Sequence, residues 1–221
     1  MRGINLEAQR NDMVEHQIRA RGVNDSMVLG AMRKVPRHLF VPPEYADSAY
    51  ADRPLPIGHG QTISQPYMVA VMTEALQLGG HEKVLEVGTG SGYQAAILAE
   101  IADHVVTVER QRELAQNAGT ILKQLGYANI ELVVGDGSKG HLPRAPYDGI
   151  VVTAGAPDIP PVLIDQLAEA GRLVIPVGNS FQQTLTRVIR HGDSHKTERL
   201  EGCVFVPLIG EYGWADNQGK E

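Results

Sequence analysis

From residue 82 onward, short apolar runs alternate with amphipathic ones, the signature of a sheet covered by helices. KVLEV at 83–87 reads as a buried strand and YQAAILAEI at 93–101 as a helix. HVVTV at 104–108 is the next strand, followed by a helix over 111–125, with further strands predicted at 130–134, 149–153 and 172–176. Pro160 and Pro161 suit the first turn of a helix ending near Ala168. Residues 184–190 and 203–207, flanking the polar stretch 191–201, read as an antiparallel pair at the sheet edge. The expectation is an α/β fold, doubly wound around a mostly parallel sheet of about seven strands, with ligands at the carboxyl ends of the strands. Before residue 82 the pattern changes. Helical patterns over 6–21 and 25–34 precede a stretch rich in proline and glycine, from Pro36 to Pro66. The apolar helix 67–78 reads as core packing and the first helix as a cover over the active site. We expect one domain, made of an N-terminal helical arm and loop (1–81), an α/β core (82–210) and a tail (211–221) that is loose from 215 onward.

Composition narrows the classes. A chain of 221 residues buries enough surface to need no staples. The single cysteine, Cys203, excludes an internal disulfide and a cysteine zinc cluster, and reads as a small buried residue. A net charge of -6 with no long basic run argues against a nucleic-acid partner. No apolar run approaches the ~18 residues of a membrane span, and residues 1–10 are polar, so the expectation is a cytoplasmic protein with no membrane partner.

Candidate chemistry sits at three strand ends. The first strand closes in Glu86-Val87-Gly88-Thr89-Gly90-Ser91-Gly92. Glycines there permit a tight turn and close approach of a ligand, but the spacing G-x-G-x-G is not the dinucleotide G-x-G-x-x-G. Glu86, two residues before the first glycine, would be a poor neighbour for a pyrophosphate and suits a cationic head such as an ammonium. Glu109 closes the second strand, where an acid can accept from both ribose hydroxyls. Asp136, in Gly135-Asp136-Gly137, is placed to accept from an adenine amino group. Three acids in order, with no basic residue facing a phosphate, read as S-adenosylmethionine and not as NAD or ATP. For each acid alone, a helix N-cap is the alternative.

Upstream, a glycine-flanked loop, Gly58 to Ala70, leads into a helix starting at Pro66; Ser64, two residues earlier, has an N-cap as its plain reading. The run P-I-G-H-G-Q-T-I-S-Q-P-Y-M-V-A, followed by V-L-E-V-G-T-G-S-G-Y-Q-A-A-I-L-A, resembles the protein-L-isoaspartate O-methyltransferase family. V-P-R-H-L-F-V-P (35–42), G-D-G-S-K-G (135–140), P-Y-D-G-I-V-V-T-A (146–154) and F-V-P-L (205–208) extend the likeness over nearly the whole chain. The glycine loop is common to methyltransferases; G-Q-T-I-S-Q-P-Y is specific to this family.

The resemblance implies a class I S-adenosylmethionine-dependent methyltransferase fold and methyl transfer to the free carboxylate of L-isoaspartyl and D-aspartyl residues in damaged proteins and peptides, initiating their repair, with S-adenosylhomocysteine as product. It places the catalytic serine on Ser64. Cofactor contacts fall on Thr62, Glu86, Gly88, Gly90, Gly92, Glu109, Asp136 and Gly137, and substrate contacts on Ile63, Gln65, Pro66 and Val206. Ser138 stands where some members carry a bulky aromatic residue, and the end, Glu211 to Trp214, is given no role. A carboxylate nucleophile is ionised at neutral pH, its reference pKa being about 4, so no strong general base is needed and Ser64 reads as a positioner. No metal site is expected: of the eight histidines only His191 and His195 are close, in a polar turn, and only His59 lies in the substrate loop. The alternatives are a methyltransferase of a small carboxylic acid, an RNA methyltransferase, and a non-enzymatic nucleoside-binding module.

Overall fold

The computed structural model describes residues 5–216; the outermost part of the expected loose tail, 217–221, lies outside the described residues. Its frame is a seven-stranded sheet. The strands are β3 (Lys83–Val87), β4 (His104–Glu109), β5 (Ile130–Val134), β6 (Tyr147–Val152), β7 (Leu167–Gly178), β8 (Gln183–His191) and β9 (Ser194–Cys203). They lie in the order β5-β4-β3-β6-β7-β8-β9. β5, β4, β3, β6 and β7 run parallel, and β8 and β9 add an antiparallel edge. Strand order reverses beside β3, because β4 and β5 build outward on one side and β6 starts the other. Such a switch point leaves a crevice at the carboxyl ends of the strands.

Period-two alternation divides the core between the two faces of the sheet. Val84, Val105, Val151, Val174 and Leu185 join one apolar cluster with α3 (Pro66–Leu76) and α4 (Tyr93–Ala99). Leu85, Val87, Val106, Ile150 and Leu173 join a second with Leu163 of α6 (Pro161–Asp165). α5 (Arg112–Gln124) buries Leu114, Ala115, Ala118 and Leu122. The alternation sends Glu86 to the face of Val84, into an apolar environment.

The arm is continuous with the first cluster through Met13, Val14, Ile18 and Met32. The expected helix over 6–21 is broken into α1 (Leu6–Asp12), a π-helical turn (Met13–Ile18) and a 3-10 turn (Arg19–Arg21). Its buried residues are Met13, Val14 and Ile18; Met13 and Ile18 are five apart, one residue more than an α-turn, and the π-turn brings them to one face. This segment packs on α3, and its Arg21 reaches a groove that Ser64 also lines. α2 (Ser26–Lys34) is capped by Asp25, whose side chain accepts from the Met27 and Val28 N–H groups. Glu74 of α3 accepts from the Asn24 and Asp25 N–H groups at 2.7 and 2.8 Å, tying the arm down.

Three expectations are corrected at the periphery. The polar stretch 191–201 is largely the edge strand itself: β9 ends at Cys203, and 205–208 leaves the sheet. The cause is the Gln183 side chain, which donates to the Phe205 carbonyl at 3.1 Å and accepts the Phe205 N–H at 2.8 Å. The chain then crosses to Gly155, which donates to the Val206 carbonyl and accepts the Leu208 N–H, each at 2.8 Å. Second, α6 stops at Asp165 because Arg190 donates to the Asp165 and Leu167 carbonyls and draws 167 onward into β7. Third, the loop before α3 holds an unforeseen hairpin, β1 (Leu55–Gly58) and β2 (Gln61–Ile63).

Removing the Glu74 tether should loosen the arm alone. Glu74→Ala is expected to lower unfolding stability by about 1.5–3 kcal/mol, the range for hydrogen bonds to a charged group. Amide exchange should rise over residues 23–35 and stay unchanged in β3 and β4. Uniform protection in the variant would show that the arm is held by packing only.

Candidate active site

The crevice is a cavity of about 810 Å³, counted to its open mouth. On its lower wall the turn after β3 carries Gly88, Gly90 and Gly92, all with positive φ. Glycine is required at Gly88: a Cβ there would sit 2.4 Å from Thr153 Oγ1, which donates to the Gly88 carbonyl at 2.6 Å. Gly92 does not line the cavity. A Cβ on it would press on Ala118 and Leu122 of α5, so its role is to let the turn pack on that helix.

Glu86 lines the cavity and is fully buried. Register sets its partner: Glu86 lies beside Thr107 of β4, whose hydroxyl donates to Oε2 at 2.5 Å. Thr107 has then spent its proton, so Thr89 donates to it across 2.6 Å. Glu86 Oε1 has no hydrogen-bond partner among the described residues. Burial pushes the carboxyl up to about 8, against the pull of the Thr107 hydroxyl, and the Glu109 charge adds to the rise. A buried acid whose second oxygen lacks a donor has chemistry that suits a cation.

Glu109 also lines the cavity, 6% exposed. Its Oε2 accepts from the Gly90 N–H and its Oε1 from the Gln111 N–H, both at 2.9 Å. Each oxygen keeps a further lone pair, enough to accept from a ribose diol. Arg110 lines the cavity too and pairs with Asp216, so a basic residue does reach the rim, contrary to the reading of the sequence.

Asp136 is not among the lining residues; its neighbour Gly137 is. Its Oδ1 accepts from the Ser138 N–H and hydroxyl, and its Oδ2 from the Glu211 N–H at 2.9 Å. Burial alone would raise its pKa, but these bonds and nearby Lys139 hold it below the usual carboxylate range. Asp136 and Ser138 thus clasp the backbone of residues 211–212, while Leu208 and Ile209 of the same segment line the cavity. The sequence reading had left the end of that segment, Glu211 to Trp214, without a role.

Ser64, Thr62, Ile63 and Val206 line the cavity as well. Ser64 is not a helix cap: α3 begins after Gln65 and has no side-chain cap. A groove of about 1110 Å³ adjoins the cavity, and Thr62, Ser64, Thr153, Val206 and Pro207 line both. Gln65 lines the groove only, and Pro66 lines neither, being buried in the first turn of α3. Thr153 and Gln94 are lining residues that the sequence did not single out. His59 faces away from the cavity, with Nε2 3.1 Å from Glu113. Among the described residues no cluster of three metal-ligating side chains occurs, and no helix is long and apolar enough to cross a membrane. Cys203 is half-buried, and burial pushes its thiol up to about 11.

The reversal point, the glycine turn, the buried cation socket and the acid ending β4 together define a class I S-adenosylmethionine-dependent methyltransferase. Comparison with known proteins gives the family. The sequence profile of the family described as "Protein-L-isoaspartate(D-aspartate) O-methyltransferase (PCMT)" matches residues 8–213. A protein-L-isoaspartate O-methyltransferase of Methanoculleus marisnigri is 58% identical over 206 residues, covering 93% of this chain and 94% of that protein. One from Geobacter metallireducens is 56% identical over 216 residues, covering 97% of this chain and all of the relative. A solved protein-L-isoaspartate O-methyltransferase superposes with a TM-score of 0.82 at 29% identity, over 92% of this chain and 67% of its own. A Plasmodium falciparum structure of that description, in complex with S-adenosylhomocysteine, gives 0.78 at 26% identity, over 90% and 98%. The chain belongs to the protein-L-isoaspartate(D-aspartate) O-methyltransferase family. Its cofactor is S-adenosylmethionine, and the chemistry of the unpartnered Glu86 oxygen and of the Glu109 carboxylate fits the ammonium and ribose of that molecule.

Glu86 makes ligand-free stability depend on pH. Its folded pKa lies above the ordinary value, so the folded chain must hold a proton that the unfolded chain gives up. Stability is therefore lost as pH rises from about 4.5 to about 8 and levels off above that. Glu86→Gln removes this term, and its midpoint in urea relative to the unaltered chain should climb from pH 5 to 8. Parallel profiles would show that Glu86 is ionised in the empty cavity.

Proposed function

We propose that the groove presents the free carboxylate of an L-isoaspartyl or D-aspartyl residue of a damaged protein to the cavity, where Ser64 positions it for methylation. The observation that carries this reading is the shared wall: Thr62, Ser64, Thr153, Val206 and Pro207 border both spaces. When bound, S-adenosylmethionine supplies a sulfonium methyl group, and the products are a methyl ester and S-adenosylhomocysteine. The groove is larger than the cavity, which suits a peptide better than a small carboxylic acid.

The residues do three kinds of work. Glu86 and Glu109 hold the ammonium and ribose of the cofactor, while Gly88, Gly90 and Gly137 let it lie against the backbone. Thr62 borders it, and Asp136 supports the adenine end through the segment that it clasps. Ile63, Gln65 and Val206 line the peptide's path. Ser64 offers a hydrogen bond to a carboxylate that is already ionised at neutral pH, since its reference pKa is about 4. No base has to be generated. The reaction joins opposite charges, so positioning and exclusion of water supply the acceleration. An isoaspartyl linkage routes the chain through the side-chain carbonyl and frees the α-carboxylate. A site gripping the backbone then meets a carboxylate that an ordinary aspartate does not present there. The lone, unpaired Cys203 suits a reducing compartment, and we place the reaction in the cytoplasm.

Ser64→Ala should lower kcat on an isoaspartyl peptide by about 10-fold or more, with affinity for S-adenosylhomocysteine and thermal midpoint unchanged. A matched aspartyl peptide should react at least about 100-fold more slowly with the unaltered chain, the scale of a roughly 1 Å displacement. Equal rates on the two peptides would refute the substrate assignment.

A further inference from the structure

Gln94 is a second residue with an orphaned oxygen in the cavity wall. It sits in the first turn of α4, is 6% exposed, and lines the same cavity as Glu86. Its orientation is fixed from behind. Thr73 donates its hydroxyl proton to the Val69 carbonyl at 2.7 Å, so its oxygen can only accept from Gln94. The Gln94 amide nitrogen therefore points to Thr73, at 2.9 Å, and Oε1 is turned away from it. That oxygen has no hydrogen-bond partner among the described residues. A buried amide oxygen without a donor is a standing cost to the fold. Glu86 Oε1, on the strand before the same turn, is in the same condition.

We propose that Gln94 Oε1 and Glu86 Oε1 form a two-acceptor socket for the α-ammonium of the cofactor's amino-acid end. The chemistry selects this group over the others. The sulfonium has no hydrogen to donate, the ribose hydroxyls have Glu109, and a carboxylate brings no donor for the Gln94 oxygen. An ammonium brings three donors and a positive charge, so one group can serve both unpartnered oxygens. Gln94 is then a positioning residue for the methionyl end. It adds directionality without a second negative charge, which beside Glu86 and Glu109 would raise the repulsion among carboxylates. The Thr73–Gln94 bond carries this control back to α3, the helix that follows Ser64.

The inference rests on the cofactor assignment, and binding experiments separate the two. We would titrate the full-length chain with S-adenosylhomocysteine and with its deaminated analogue, the S-adenosyl thioether of 4-sulfanylbutanoic acid, which keeps the carboxylate and lacks the ammonium. The unaltered chain should bind the analogue at least about 10-fold more weakly, the worth of one hydrogen bond to a charged group. Gln94→Leu should lose about 10-fold for S-adenosylhomocysteine and keep the unaltered chain's affinity for the analogue. Thr73→Val, which frees the amide to turn without touching the cavity wall, should show the same selective loss to a smaller degree. Equal losses for both ligands in Gln94→Leu, or none, would overturn the socket and leave the cofactor assignment standing. Failure of the unaltered chain to bind S-adenosylhomocysteine would overturn both.

Discussion

A fully buried carboxyl group at the head of the central strand governs the site. Strand alternation sends Glu86 into the apolar layer beneath α3 and α4, where an ionised acid cannot be hydrated. The register with β4 supplies one compensating donor, Thr107, itself supported by Thr89 from the glycine turn. The other oxygen stays open, and the carboxyl keeps its proton near neutral pH. Such an arrangement is a standing cost to the empty protein. A cation beside it would offset that cost, which is the part proposed for the cofactor's ammonium.

The remaining walls are arranged around that point. The glycine turn brings Glu109 alongside through the Gly90 N–H and lets Thr153 close against Gly88. The hairpin β1–β2 ends at Ile63, so Ser64 follows at the junction of cavity and groove. On the far side, the Gln183 amide steers the chain out of the sheet and across to Gly155, and Asp136 and Ser138 then fasten the backbone beyond it. The Trp214 indole adds a bond to the Gly155 carbonyl at 3.0 Å. The C-terminal segment is thus part of the binding wall, held by an acid that sequence reasoning had assigned to adenine.

What the sequence disclosed follows from how local each feature is. The core strands and α3 to α5 were readable because apolar runs and helical periods repeat over short windows. Glu86, Glu109 and Ser64 stood out because strand ends and a distinctive loop marked them, and all three line the cavity. The edge strand β9 was not, since SHKTERLEGC is polar on both faces and pairs through its backbone. Gln183 holding Phe205 and Asp136 holding Glu211 join positions far apart in the chain, and no local pattern announces them. Gln94 was hidden inside an apolar helix; only its hydrogen bond to Thr73 shows which way its oxygen turns.

The central claim, that the cavity stores a proton on Glu86 until a cationic nucleoside displaces it, is open to direct measurement. Titration calorimetry of S-adenosylhomocysteine at pH 7, in buffers of different ionisation enthalpy, counts the protons exchanged on binding. With Glu86 titrating at about 8 in the empty cavity and ionised against the ammonium, close to one proton should be released per ligand at pH 7, where the ligand's amino group is already protonated. The Glu86→Gln variant should release none at that pH. Binding with no proton release at pH 7 by the unaltered chain would contradict the account.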